Sequence, residues 1–204
     1  SFTFTEHDVQ EEFFSRGWTD GLPIVPPTPD RVDNMLAFAG VTAGDIVGTV
    51  PERSRNITAE KAAINAVMAG CEPQHFPVVL AGIAAMCDPV FGCNTAITST
   101  GGAALCLAVS GPNLEELGLN ANRNALGPGY RANATIGRAM RLVAMNVLGA
   151  RSNYLDGSSI GHPGKYTMLV AEEPPPEGWD PLRVELGYDQ ADTTVTVLAA
   201  EGTH

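Results

Sequence analysis

The run PVVLAGIAAMC, residues 77–87, limits the folds open to this chain more than any other stretch. It is apolar around its whole circumference, so it has to be buried, as a central helix or a central strand. Its length and its alanines favour a helix, which Pro89 closes. Other elements must therefore be found to cover it.

Several flank it. Thr5 is placed to cap a short helix through EHDVQEEFFSRG, with Phe13 and Phe14 on the buried side and Gly17 at its end. WTDGLPIVPPT follows as a stiff extended connection, because its prolines remove backbone donors and Asp20-Gly21 is a turn pair. Thr28-Pro29 supplies cap and first-turn proline for a helix through DRVDNMLAFA, which stops at Gly40. DIVGTVPE reads as a short strand. Thr58 opens the helix AEKAAINAVMAG, with Ala62, Val67 and Met68 on its apolar side and Gly70 past its end. NTAIT and AALCLAVS read as β segments joined through STGG, and KYTMLVAEE and TTVTVLAAE as strands near the end. Between them lies an Asn-, Gly- and Pro-rich loop from about Leu119 to Tyr130, then one long helix. The fold class expected is α/β or α+β, a mixed sheet with helices in one compact domain spanning the 204 residues.

Charge narrows the partners. Twelve Lys and Arg against 23 Asp and Glu give a net charge of −11, which leaves no basic face for nucleic acid. Only 17% of residues are charged against 44% hydrophobic, so part of the surface is expected to be covered in a homo-oligomer. No stretch approaches eighteen consecutive apolar residues and no basic region followed by an apolar run opens the sequence; a soluble, cytoplasmic protein with no membrane partner is expected. Cys71, Cys87, Cys93 and Cys106 are spaced by sixteen, six and thirteen residues, which matches no zinc or iron–sulfur pattern, so no metal is expected. Cys106 sits in an apolar strand, whereas Cys87, beside Asp88-Pro89, is either core or a thiol opening into a cleft.

The long helix follows GPGYRA, where Gly127, Gly129 and Ala132 formally match a dinucleotide fingerprint. The context does not: LNANRNAL ahead of it is polar where a buried strand is needed, and no cofactor is expected. At about 100° per residue, Arg131, Thr135 and Arg138 share one stripe and Ile136, Met140, Val143 and Val147 the opposite one. Two arginines thus project together, either onto a carboxylate or phosphate ligand or onto Asp or Glu of the same chain. TSTGG offers hydroxyls at Thr98, Ser99 and Thr100 and permissive backbone from Gly101, suited to an oxyanion or simply to a tight turn. SSIGHPGKY sets His162 and Lys165 on a Gly/Pro loop, either for acid–base work or merely exposed.

GWTDGLPIVPPTPDRV, AAMCDPVFG, GPGYRANATIGRA and HPGKYTMLVAEE together resemble a bacterial family, the UGSC-family (seleno)proteins, sometimes labelled thioredoxin-like, over nearly the whole chain. The resemblance implies thiol or selenol chemistry from a Sec/Cys-Gly-Ser-Cys motif. This sequence has no such motif, so a small companion subunit would supply it. The resemblance also implies roles for Asp20, Cys87, Gly129, Arg131, Asn133, Arg138, Lys165 and Glu172. The expectation is an enzyme subunit that binds a small anionic, carboxylate-bearing metabolite. Asp20, Thr98, Ser99, Thr100, Gly101, Gly129, Arg131, Asn133 and Arg138 would bind it, and Cys87, His162, Lys165 and Glu172 are the catalytic candidates. Redox chemistry with a companion, a cofactor-independent lyase or hydratase, and a noncatalytic scaffold all remain open.

Overall fold

The computed structural model describes residues 6–202, so the cap at Thr5 lies outside the described residues. In chain order the elements are α1 (Glu6–Ser15), α2 (Pro29–Ala39), β1 (Ile46–Val50), β2 (Arg55–Thr58), α3 (Ala59–Ala69), α4 (Phe76–Met86), α5 (Cys93–Thr98), β3 (Ala104–Ser110), α6 (Arg131–Asn146), β4 (Leu169–Ala171), α7 (Leu182–Glu185) and β5 (Thr194–Ala200). β1 and β2 form an antiparallel hairpin, and the second sheet has the order β4-β3-β5, with β4 parallel and β5 antiparallel to β3. This is an α+β fold with one mixed sheet.

The apolar run is a helix, α4, and its neighbours explain why. Phe76, Val79, Ile83 and Met86 are fully buried, and Gly82 lets α4 approach so closely that a Cβ there would meet Met140 Sδ at 3.1 Å and Leu107 Cδ2 at 3.2 Å. Helix α4 therefore rests on α6, on β5 and on Leu107 of β3, a strand buried along almost its whole length. Helix α3 is buried on nearly every face against α6, and Thr58 caps it by accepting from Lys61 N. Gly40 and Gly70 end α2 and α3 in the left-handed conformation expected of a glycine stop.

Four local expectations fail. Phe14, expected on the buried side of α1, is 60% exposed. NTAIT is not a strand but the helix α5: Gly92, at φ 65°, turns the chain, and Thr95 N and Ala96 N both donate to its carbonyl. The β-branched residues there lose to this turn because β3, the strand they pack against, already has both edges paired, with β4 and β5. Thr28 precedes α2 but its side chain makes no capping hydrogen bond. In KYTMLVAEE only Leu169–Ala171 pairs as a strand, since Pro163–Lys165 is wound into a 3-10 turn.

Candidate functional site

Helix α6 organises the charged groups of the molecule. Its predicted arginine stripe exists, but the two guanidinium groups do not meet at one anion. Arg131 donates from Nη1 to Glu72 Oε1 and from Nε to Gly70 O, both at 2.9 Å, at an exposed position. Arg138 forms a two-pronged pair with Asp20, Nε to Oδ2 and Nη2 to Oδ1, each 2.8 Å, and also reaches Pro23 O at 2.9 Å. With side-chain exposures of 13% and 3%, that pair fastens the proline-rich connection to α6. A two-arginine ligand site at Arg131 and Arg138 is thereby corrected. The partners are internal carboxylates, and Asp20 is one of them.

Three residues beyond Arg138, Arg141 does something different. It donates from Nη2 to Asp156 Oδ2 at 2.8 Å, and Lys165 Nζ donates to Asp156 Oδ1, also at 2.8 Å. Ser158 Oγ donates to the same Oδ1 at 2.5 Å and accepts from Lys165 Nζ. Side-chain exposures are 5% for Asp156, 14% for Arg141 and 15% for Lys165. Burial by itself would raise the Asp156 carboxyl. The hydrogen bonds from Lys165 and Ser158, with the charges of Arg141 and Lys165, outweigh it and hold the group at about 2.

This cluster opens onto a cleft of about 710 Å³, lined by the polar groups of Asp20, Arg141, Asp156, Ser158 and Lys165 and by the largely apolar side chains of Met145, Ile160 and Tyr166. Arg141 makes one hydrogen bond, and its other guanidinium donors have no partner among the described residues. The charges that line the cleft balance, Arg141 and Lys165 against Asp20 and Asp156, and Arg138, paired with Asp20 behind the lining, adds one further cation, although the chain carries −11. Neither Arg141 nor Asp156 was a candidate from sequence. The available signal was an arginine within one turn of Arg138 and an acid two residues before Ser158.

The other expected site residues fall in several places. His162 borders the cleft, but its Nδ1 accepts from Gly164 N at 3.3 Å, so the ring proton lies on Nε2, which donates to Ala200 O at 3.0 Å. Both nitrogens are spoken for, and the ring ties the loop to β5. Thr98 to Gly101 pack behind the cleft wall. Thr98 Oγ1 donates to Asn94 O, Gly101 N to Ser99 Oγ and Ser159 N to Thr100 O. Thr98 ends α5, and the bend at Ser99–Gly101 that follows it supports the Ser158 loop. Asn133 is buried and bonds Asn120 through both backbone groups, closing the loop that contains Gly129. Glu172 lies beyond the opposite end of β3, about 20 Å along the strand. There it accepts from Ser110 Oγ and, at 2.7 Å, from Leu182 N.

Cys87 ends α4 against the hairpin, where a Cβ on Gly48 would come within 2.5 Å of its Sγ. Burial pushes its thiol up to about 11 and is the leading cause that takes Cys71 and Cys93 to about 12; it raises Cys106 as well. None is poised as a thiolate. An aromatic disulfide reagent applied to the native protein at neutral pH is accordingly expected to find no fast-reacting thiol. A rapid burst of one equivalent mapping to Cys87 would show an activated sulfur instead.

No helix among the described residues is long and apolar enough to cross a membrane. No family model, curated protein or solved structure matches this chain.

Proposed function

We propose that this chain is the substrate-binding subunit of an enzyme acting on a small carboxylate-bearing metabolite, which it holds in the cleft at Arg141 and Lys165. The observation that carries this reading is the Arg141 guanidinium, which lines the cleft beside Lys165 and spends only one hydrogen bond on the protein. The lysine ammonium has three protons; one goes to Asp156 and one to Ser158, which leaves one for a ligand oxygen. Met145, Ile160 and Tyr166 supply an apolar wall for the ligand's carbon skeleton.

The chemistry that suits this wall is stabilisation of negative charge developing on a carboxylate or enolate, with Lys165 as proton donor, as in a lyase or hydratase. Asp156, at about 2, is too weak a base to take the matching proton. The base therefore comes from the substrate, from water or from a companion chain, and the thiol or selenol of a redox reaction would come from a companion chain.

Thermal unfolding with a panel of short mono- and dicarboxylates tests the reading against the uncharged amides of the same skeletons. Carboxylates are expected to raise the unfolding temperature, by the equivalent of about 2.7 kcal/mol at a hundredfold excess over Kd, and Lys165→Met to abolish the rise. Equal shifts from the amides, or an undiminished shift in Lys165→Met, would refute it.

A further inference from the structure

A helix that is apolar on every side should have no exposed face, and α4 has one. Pro77, Ala81 and Ala84 are exposed, forming one stripe that runs on to Asp88. Beside the stripe lies β5, hydrogen-bonded to β3 along one edge only, with no charge, proline or glycine in its seven residues TVTVLAA. Edge strands of this kind are normally shortened, charged or covered. Between α4 and β5 runs a groove of about 1220 Å³, which shares Ala81, Thr193 and Val195 with a smaller one of about 360 Å³ that reaches Phe38.

Large apolar side chains stand around it. Val90, at the tip of the 3-10 turn after α4, is 96% exposed, Phe38 58%, Tyr188 55%, Leu186 53% and Leu198 49%. With a whole aromatic side chain amounting to roughly 150–250 Å², the exposed parts of these five come to about 500 Å². That is already near the largest apolar patch a monomer usually shows, roughly 300–600 Å². Two copies burying it against each other, with the alanine stripe between, would remove about 1,000 Å² or more, the area at which specific interfaces begin.

We infer that a second copy of this chain docks on the α4/β5 face across a two-fold axis, α4 and β5 of each protomer against the same face of its partner. A two-fold needs only one self-complementary patch, and an antiparallel edge with an uncharged middle is such a patch. The face is distinct from the Arg141 cleft, so the dimer neither requires nor completes the carboxylate site.

Sedimentation velocity over a wide protein concentration range tests this with Val90→Glu, Leu198→Glu and their combination, all at exposed positions, and with Tyr154→Glu, 80% exposed, as the control off this face. Wild type and Tyr154→Glu are expected to dimerise, each single variant to dissociate at least tenfold more readily, and the double variant to be a monomer with an unchanged circular dichroism spectrum. Should the variants unfold, hydrogen exchange on the wild type decides. Amides of 84–91 and 186–199 are expected to be more protected in concentrated than in dilute protein. A wild type monomeric throughout, a dimer undisturbed by the double variant, unchanged protection of these amides, or association only when a different chain is added would overturn the inference.

Discussion

Asp156→Ala is expected to lose about 3–5 kcal/mol of stability, the range for removing one partner from a buried ion pair, because it strands both Arg141 and Lys165 at a wall where they are at most 15% exposed. Urea unfolding at neutral pH measures it. The loss has a pH signature. The carboxyl sits at about 2 in the fold against 3.8 ordinarily, so the native state binds its proton less readily than the unfolded chain does. The stability this contributes, about 2 kcal/mol, is complete above the unfolded value and disappears as pH falls through 2. The gap between wild type and Asp156→Ala should therefore narrow by about 2 kcal/mol as pH falls from about 4 to about 2. A gap that stays constant across that interval would mean that packing, not charge, is what Asp156 supplies. If the variant folds, its cleft is more positive and should bind carboxylates more tightly than wild type.

Gly137→Ala is the second large effect, and its sign runs against propensity. Replacing glycine by alanine inside a helix ordinarily stabilises by about 1 kcal/mol. At residue 137 of α6 the new Cβ would lie 2.4 Å from Thr167 Oγ1 and 2.8 Å from Met168 N, so backbone has to move. That backbone links the Lys165 turn to β4, and Thr167 Oγ1 is bonded to Ala134 O at 2.7 Å. A loss of about 1–3 kcal/mol is expected, together with weaker carboxylate binding as Lys165 shifts. Gly44→Ala, where nothing lies within 4 Å, serves as the neutral control. A stabilised Gly137→Ala protein with full ligand affinity would contradict the packing described.

The legible parts of this chain were those in which one local signal decided the structure. PVVLAGIAAMC could only be a buried element, and its alanines made it α4; Thr58 and Gly70 bracket α3 as caps should. The wheel of α6 was correct as geometry. What it could not contain was the partner of each arginine, because Glu72 and Asp20 lie 59 and 118 positions away in sequence. Arg131 and Arg138 were conspicuous for following a glycine-rich turn, and each turned out to be paired with a carboxylate of the same chain. Arg141 had no motif beside it, yet of the three it alone lines the cleft, and it makes a single hydrogen bond. His162 and Glu172 had plausible chemistry, yet opposite ends of β3 separate them, a distance that depends on β3 pairing with β4 and β5. NTAIT failed for a related reason: its β-branched residues express a preference that a single turn at Gly92 overrides.

Calorimetric titration of the intact protein with the best-stabilising carboxylate is the most direct test of the account. It predicts one site per chain, at least a tenfold loss of affinity, about 1.4 kcal/mol, in Arg141→Met and in Lys165→Met, and no change in Arg131→Ala. Binding that survives both cleft variants but vanishes in Arg131→Ala would place the anion on the glycine-turn arginine and contradict it.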